Sequence, residues 1–362
     1  METDHSSPPA NESTKIVSCI INPAARDGHS LKIWETAKNK FENEGLKTEL
    51  HVTEKVGHAS EIAYSFKDRS DIQVIVACGG DGTIHEVASG LRGSNIPLAI
   101  IPAGTGNDVA RVHGYSLDDL DNITDIIMNG VDRNVGAIRI EAEPMPEEVN
   151  YPAPTPDTKW NGDATQKTRI VRWVFHESDS GITSLVSRAK LTRGQWIKGN
   201  LKYTYLGITE ILKWKKRNAW VKIDDEKPVI INFSLFVFTL SEFFGGGYWV
   251  APGASPIVDH AYLCKAWNLN KLRMLLLMGP LRKGKHVGKW GITLEKCRKL
   301  EIKSVNQDNE PVDIAHNPPL PINVDGEPCL QTPASLEFHP KQLWIRGSKD
   351  VSWDTPYSEA FE

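Results

Sequence analysis

The sequence contains few cysteines and lacks any long apolar run. Its five cysteines are widely spaced and form no Cys-x-x-Cys pair, which argues against a zinc site or a disulfide framework and favours a reducing compartment. The longest apolar run, residues 229–240, is interrupted by Asn232 and Ser234 and is too short to cross a bilayer as a helix. Residues 1–13 lack the apolar core of a signal peptide. We therefore predict a cytoplasmic protein without a transmembrane segment.

An excess of charge of one sign is also absent. The formal net charge is −4 over 362 residues, which argues against nucleic acid as a partner. A chain of this length is sufficient for two domains.

Strand and helix patterns alternate in the first third of the chain. Apolar runs predict four strands, and apolar residues at helical spacing predict helices between them, the first from Ser30 as its N-cap to Gly45 and the second over residues 59–69. This alternation predicts a three-layer α/β fold with a mostly parallel sheet. Ligands bind beyond the carboxyl ends of such strands, where we expect Asn22, Pro23, Thr53 and two glycine-rich loops to converge.

The pattern changes after about residue 131, where short apolar runs dominate. We therefore predict a disordered tail at residues 1–13, an α/β nucleotide-binding domain at residues 14–135 and a β-rich domain at residues 136–331. Within the latter, the proline-rich residues 141–168 are predicted to be a flexible surface insertion. Residues 332–362 are predicted to pack back on the first domain.

The first glycine-rich loop joins the apolar run at residues 72–77 to an amphipathic helix. Gly79, Gly80 and Gly82 allow the backbone to turn sharply and to approach a ligand closely. The N–H groups at a helix start are suited to bind phosphate. Asp81 places a carboxylate at this point, so the loop is a candidate phosphoryl-transfer centre.

The second glycine-rich loop follows the next predicted strand. Its small residues allow close approach of a ligand, Thr105 offers a hydroxyl to a phosphate oxygen, and Asp108 offers a carboxylate to a metal or a substrate hydroxyl. Alone, such a loop is more often a simple turn. Paired with the first loop, it supports a phosphate site.

Residues 79–87 (GGDGTIHEV) and 102–111 (PAGTGNDVAR) together resemble the diacylglycerol kinase catalytic-domain superfamily of lipid kinases. The resemblance extends from about residue 15 to residue 345. Its other matches are Thr53 with residues 57–59, and residues 245–256, 283–286 and 324–327.

This resemblance implies ATP bound between the α/β domain and a C-terminal β-sandwich-like domain, with Mg²⁺ as cofactor. The implied catalytic carboxylates are Asp81, Asp108 and Glu327, and Asp259 matches an aspartate that helps to hold a structural magnesium. Which carboxylate is the base is left open. The implied nucleotide-binding residues are Asn22, Pro23, Thr53, Gly79, Gly80, Gly82, Thr83, Gly104, Thr105, Gly106, Asn107, Asp325 and Gly326.

The sequence also departs from the family pattern. Residues 24–27 delay the usual glycine after Asn22-Pro23 to Gly28, which places Arg26 where it could contact phosphate. No second acidic residue follows Asp259. Residues 184–187 lack the aspartate that sphingosine kinases use for the sphingoid headgroup, although Glu177 or Asp179 could replace it. The acceptor is therefore predicted to be diacylglycerol-like more than sphingoid.

Two basic stretches interleave cations with large apolar side chains. Residues 188–222 hold ten Lys or Arg and one acid, Glu210, and residues 271–289 are similar. One interpretation is a face that makes transient peripheral contact with a membrane and its lipid substrate. The other is an ordinary solvated surface over core-packed tryptophans. The oligomeric state is left open, a homodimer included.

The leading hypothesis is an ATP-dependent lipid kinase. A second is an NAD kinase-like enzyme, which shares the Gly-Gly-Asp-Gly-Thr loop. A third is a lipid- or nucleotide-binding regulator that kept the fold and lost turnover.

Overall fold

The computed structural model describes residues 16–145, 169–194, 196–197, 200–306, 308–311 and 319–351. The predicted disordered tail and most of the predicted insertion lie outside the described residues. Residues 141–144 of that insertion belong instead to a strand, because Ala142 and Glu143 are buried and residues 141 and 142 pair with the neighbouring antiparallel strand at residues 170–171. The described part of the chain contains no helix long and apolar enough to span a membrane.

The chain divides into two compact units. Unit 1 contains described residues 16–136 and 340–351, and unit 2 contains described residues from 137 to 339. The predicted domain boundaries after residues 135 and 331 stay predictions.

Unit 1 alternates strands and helices. Its elements are β1 (Ile16–Ile21), a 3-10 turn (Ala25–Gly28), α1 (Ser30–Asn43), β2 (Lys47–Val52), α2 (His58–Ser65), β3 (Ile72–Gly79), α3 (Asp81–Leu91), β4 (Leu98–Pro102), α4 (Asp108–Val112), α5 (Leu120–Asn129) and the start of β5 (Val131–Pro144).

The strands of unit 1 pair in parallel. β1 lies between β2 and β3, and β4 lies beyond β3. α1 packs with α5, and α2 packs with α3. Every residue from Val74 to Cys78 is buried, as expected for a strand covered on both faces. Mixed α/β architecture is thus confirmed.

The predicted start of α1 near Ser30 is right, but its predicted N-cap and the predicted end of α2 are wrong. Ser30 is the first residue of α1 rather than its N-cap, because its hydroxyl donates instead to the Asn22 carbonyl at 2.8 Å. α2 ends at Ser65 rather than near residue 69, because the following N–H groups, that of Phe66 included, bond three residues back and close a tighter turn. Gly45 does follow the C-cap of α1 with a φ of 78°.

Unit 2 is rich in strands but contains three helices. Its elements are the rest of β5, β6 (Ile170–Val174), β7 (Glu177–Gly181), α6 (Ile182–Thr192), α7 (Asn200–Lys213), β8 (Arg217–Ile223), β9 (Val229–Thr239), β10 (Phe243–Phe244), β11 (Tyr248–Trp249), β12 (Ala261–Trp267), α8 (Lys271–Arg282), β13 (Ile292–Cys297), β14 (Lys299–Ser304), β15 (Pro321–Val324) and most of β16 (Glu327–Gly347).

The strand pairs of unit 2 are antiparallel. β9 pairs with β7, β8 and β12, and β15 pairs with β7 and β16. Over the described chain as a whole, antiparallel pairs outnumber parallel ones. A mostly parallel sheet is therefore not confirmed beyond β1–β4 and the end of β16, where Ile345 pairs with Leu98.

The last residues of β16 lie in unit 1. The hydroxyl of Tyr115 donates to the Arg346 carbonyl at 2.7 Å. The Arg346 guanidinium forms a two-pronged pair with Asp132, with N···O distances of 2.6 and 2.8 Å. Both partners are largely buried, so this segment is an integral part of unit 1.

His286 is expected to make the stability of unit 2 depend on pH. Its ring lies in the core, where Nε2 is 3.1 Å from the Val250 carbonyl oxygen. Burial lowers the pKa of His286 to about 4, and the hydrogen bond to Val250 opposes this only in part. Between pH of about 6.5 and about 4 the unfolded chain binds the extra proton, so we expect the free energy of unfolding to fall by up to about 3 kcal/mol as the pH is lowered. Urea unfolding across this range measures it.

His286→Gln is the variant that isolates this effect. Its amide can still donate to the Val250 carbonyl but does not titrate, so the acid-side loss of stability should shrink. At a pH of about 7.5 the imidazole is neutral in both states, so any difference there reports lost packing alone. An unchanged acid slope in the variant would contradict the assignment.

Candidate functional site

The first glycine-rich loop forms the sharp turn between β3 and α3. A Cβ on Gly79 would lie 2.4 Å from Oγ1 of Thr83. Only glycine therefore allows the backbone at residue 79 to lie this close to Thr83. The first bond of α3 is donated by the Ile84 N–H to the Gly80 carbonyl at 3.1 Å. The N–H groups of Gly82 and Thr83 precede that bond and are available to an anion at the helix start.

The second glycine-rich loop packs directly on the first. A Cβ on Gly104 would lie 2.6 Å from the Cα of Gly80, and the Ala103 N–H donates to the Gly79 carbonyl at 2.8 Å. Asn107 shapes the loop, since its side chain exchanges hydrogen bonds of 2.8 and 2.9 Å with the Gly104 backbone. The two loops therefore meet through bare backbone, as the sequence predicted.

Asp81 is oriented by the second loop. Its Oδ2 accepts a hydrogen bond of 2.8 Å from the Asn107 N–H. A Cβ on Gly106 would lie 2.8 Å from Asp81 Oδ2 and 3.8 Å from Asp108 Oδ2, so two carboxylates flank this glycine. The Asp108 side chain is nearly buried, and one of its oxygens lies 3.9 Å from Nε of Arg111.

A cavity of about 470 Å³ opens beside these loops. This volume is in the range of small-ligand sites. Six predicted nucleotide-binding residues line it, namely Asn22, Gly80, Gly82, Thr83, Gly104 and Thr105.

The cavity wall also contains residues that were not in the predicted site. They are Ala24, Ala25 and Ala103, and they lie beside Arg26, which the sequence had placed as a possible phosphate contact. The altered spacing after Asn22-Pro23 was the available signal, because it inserts Ala24–Arg26 where a glycine was expected. Asn22 Oδ1 accepts from the Ala24 N–H at 3.0 Å and closes this turn.

Other predicted residues of unit 1 support the site without lining the cavity. Gly79, Gly106 and Asn107 set the geometry of the loops, and Pro23 follows Asn22 in its turn. Thr53 continues β2 through a 2.9 Å bond from its N–H to the Ile21 carbonyl.

The Arg26 side chain is the only cation of the cavity wall among the described residues. Its guanidinium lies 3.2 Å from an Asp118 carboxylate oxygen, and both side chains are largely exposed. Such an exposed pair is weak, so Arg26 can turn toward an anionic ligand.

Glu86, which belongs to the first motif but had no predicted role, holds α2 against α3. Its two carboxylate oxygens accept the Gly57 and Ala59 N–H groups at 3.0 and 3.2 Å. Burial raises the pKa of Glu86, and these hydrogen bonds oppose the rise. Glu86 therefore has a structural role, because its carboxylate caps the N-terminus of α2.

The residues present fit a nucleotide and its magnesium. A Cβ on Gly82 would meet no protein atom within 4 Å, although Gly82 lines the cavity, so the missing side chain leaves room for a ligand. The described residues contain no group of three His, Cys, Asp or Glu that could hold a metal by themselves. Mg²⁺ is commonly bound by one or two carboxylates together with substrate phosphates, and Asp81 and Asp108 can supply these.

The predicted residues of unit 2 lie at the turn between β15 and β16. Asp325 and Gly326 have φ values of 48° and 83°, and Glu327 begins β16 half-buried. The Asp325 carboxylate accepts three backbone N–H groups, from Phe175, His176 and Glu177, at 2.9 to 3.1 Å. Asp325 therefore anchors the start of β7. That this turn contributes to a nucleotide site stays a prediction.

Asp259 is paired with neighbouring side chains of its own unit. It is exposed, and its carboxylate accepts from Arg298 at 2.6 Å and contacts His260 at 3.0 Å. The hydrogen bond to His260, followed by that to Arg298, lowers the pKa of Asp259. Its role in holding a structural magnesium stays a prediction.

The chain matches two family models in sequence. Residues 17–140 match the diacylglycerol kinase catalytic domain, and residues 178–346 match the YegS C-terminal NAD kinase beta sandwich-like domain. The β-sandwich-like nature of the second domain is thus supported.

Three known proteins illustrate the similarity. A diacylglycerol kinase from Mycobacterium tuberculosis is 23% identical over 332 residues, which are 91% of this chain and 94% of that protein. A diacylglycerol kinase from Bacillus subtilis is 42% identical over 118 residues, 32% of this chain and 39% of that protein. The crystal structure of a diacylglycerol kinase from Bacillus anthracis str. Sterne superimposes with a TM-score of 0.64 at 15% identity, covering 95% of this chain and all of that one.

Proposed function

The chain belongs to the diacylglycerol kinase catalytic-domain superfamily, and from this premise we propose that it transfers the γ-phosphate of ATP to a lipid hydroxyl, on a diacylglycerol-like more than a sphingoid acceptor. The observation that carries the proposal is the fixed position of Asp81. Its carboxylate is held by the Asn107 N–H beside a cavity walled by bare backbone and by the start of α3.

The residues of unit 1 have separable tasks in this reaction. The N–H groups of Gly82 and Thr83 bind phosphate oxygens at the helix start, where the helix dipole favours negative charge. Asp81 accepts the proton of the lipid hydroxyl as its oxygen attacks the γ-phosphorus, and the bond from that phosphorus to the bridging oxygen of ADP breaks. Asp108 is assigned to the metal, since its buried side chain lies beside Asp81.

Magnesium bound with the phosphates would neutralise their charge and that of the leaving ADP. Asp108 is the residue of unit 1 that would hold it. Arg26 is a second source of positive charge at the cavity wall.

A neutral acceptor is supported by the surroundings of α6. Ser184 donates its hydroxyl to the Gly181 carbonyl, and no acid occurs at residues 182–192. The two alternative carboxylates, Glu177 and Asp179, are both buried in β7. Asp179 accepts from Asn323 Nδ2 at 2.7 Å, and burial raises its pKa. A raised pKa disfavours the charge that would attract a sphingoid amine.

Phosphate transfer from labelled ATP to a panel of lipids in mixed micelles tests the proposal. We expect Mg²⁺-dependent labelling of diacylglycerol and weak or no labelling of sphingosine. NAD should not be phosphorylated. Preferential labelling of sphingosine would overturn the acceptor class, and NADP formation would move the chain to the NAD kinase-like alternative.

The regulator hypothesis makes a different prediction for the same protein. It requires that ATP raise the melting temperature while no lipid is labelled and no ATP is consumed. That combination would replace the proposed function.

A further inference from the structure

Helix α7 carries an apolar stripe that faces solvent. Leu201, Tyr205, Ile208 and Leu212 are 70%, 42%, 39% and 56% exposed. Their spacing of four, three and four residues places them on one face of the helix. Leu206 and Ile211 lie on another side of α7 and are buried, so the exposed stripe is not the face that packs on unit 2.

The stripe continues onto neighbouring segments. Trp196 is 78% exposed, and its ring centroid lies 5.8 Å from that of Tyr205 in an edge-on contact. On α8, Leu272 and Leu276 are exposed one helical turn apart. The Lys271 ammonium donates to the Leu212 carbonyl and joins the start of α8 to the end of α7. We refer to the α7 stripe with Trp196, Leu272 and Leu276 as the docking face.

The surroundings of the docking face are basic, although the whole chain is slightly acidic. Helices α6, α7 and α8 together contain one acid, Glu210, and seven cations, which are Arg188, Lys190, Lys202, Lys213, Lys271, Arg273 and Arg282. Glu210 pairs with both Arg193 and Lys213, so it does not offset the other cations. Burial and the like charge of Lys190 lower the pKa of Lys202, which is a further sign of local positive potential.

We propose that the docking face binds the surface of a bilayer that contains anionic phospholipid, with α7 lying in the plane of the interface. Exposed leucines and aromatics between flanking lysines and arginines are the pattern of an interfacial helix. Anionic headgroups match the cations at the rim, and the apolar stripe reaches the acyl boundary between them. This inference rests on the proposed function in one respect, since the same bilayer would contain the lipid substrate.

Vesicle flotation tests this proposal with the full chain. We expect binding to vesicles of phosphatidylcholine with phosphatidylserine, weaker binding at high salt, and little binding to phosphatidylcholine alone. Leu201→Gln with Leu212→Gln should lower the partition coefficient by roughly tenfold or more. Lys202→Glu with Arg273→Glu should lower it on the anionic vesicles by a similar factor.

A matched control exists elsewhere in unit 2. Val229 is 52% exposed and Lys227 is exposed, so Val229→Gln with Lys227→Glu makes the same kinds of change away from the docking face and should leave vesicle binding intact. Thermal unfolding of each variant checks that the fold is retained.

Three outcomes would overturn the inference. In the first, the wild-type protein does not bind anionic vesicles. In the second, the docking-face variants bind vesicles as well as the wild type does. In the third, the substitutions dissociate an oligomer without changing vesicle binding, which would assign the face to a second copy of the chain. Labelling of lipid in micelles without vesicle binding would leave the kinase proposal standing alone. Vesicle binding through this face without any lipid labelling would overturn the kinase proposal and leave this one standing.

Discussion

Asp81→Asn is expected to lower the rate of lipid phosphorylation by a factor on the order of 10² to 10⁴. The amide oxygen of asparagine can still accept the Asn107 N–H that Asp81 Oδ2 accepts at 2.8 Å, so the two glycine-rich loops should stay in place. What is lost is a group that can take a proton from the acceptor hydroxyl. We therefore expect the loss in kcat, with the dissociation constant for ATP and the melting temperature nearly unchanged.

Two further variants sharpen this prediction. Asp108→Asn should raise the Mg²⁺ concentration needed for half-maximal activity, because Asp108 is assigned to the metal rather than to the proton. Asp68→Asn removes an exposed carboxylate that follows α2 and should change neither activity nor metal requirement. Wild-type rates in Asp81→Asn would remove Asp81 from the chemistry, and a shift in metal requirement with Asp81→Asn alone would exchange the two roles.

The sequence was informative about unit 1 because its signals are local and agree with one another. The run from Ile72 to Ala77 is apolar apart from Gln73, and the glycines stand where β3 must turn into α3. The next strand repeats the arrangement at Gly104. Asn107 N–H to Asp81 is the contact that joins the two loops. That the two loops lie close together follows from the adjacency of β3 and β4 in the sheet. The length of the hydrogen bond between them could come only from the structure.

Helix α8 of unit 2 was missed for a physical reason. Helical periodicity is detected when one face is apolar and the other polar. In α8 the exposed side with Leu272 and Leu276 is as apolar as the buried side with Met274 and Leu277. The same property that conceals the helix from a periodicity argument marks its surface as unusual, since a solvated helix face is normally polar.

Asp259 and Asp325 show what a motif leaves undetermined. The resemblance implies a metal role for Asp259 and a nucleotide role for Asp325, and both roles stay predictions. The structure adds that Asp325 accepts backbone N–H groups of its own unit and that Asp259 pairs with Arg298. These partners come from segments distant in the sequence, so the motifs alone do not reveal them.

Glycine-to-alanine substitutions in the two loops are expected to have opposite effects on stability. At Gly104 the new Cβ would lie 2.6 Å from Gly80 Cα and 2.8 Å from Asn107 Oδ1, so the loops must separate. We expect Gly104→Ala to lower the free energy of unfolding by about 1–3 kcal/mol. At Gly82, inside α3, the Cβ meets no protein atom within 4 Å. Alanine there should leave stability unchanged or raise it by up to about 1 kcal/mol.

Gly82→Ala should nevertheless weaken ATP binding, because its methyl group would stand at the cavity wall where the phosphates are proposed to meet the start of α3. We expect a roughly tenfold or larger increase in the dissociation constant, measured by calorimetry with the Mg²⁺ complex of ATP. Gly279→Ala is the matched control, since Gly279 also lies in a helix and a Cβ added there would meet no atom within 4 Å, and it should keep wild-type affinity. A stable Gly82→Ala protein that binds ATP normally would place the phosphates away from this helix, while a loss of both stability and affinity would show that Gly82 is needed for the fold rather than for the ligand.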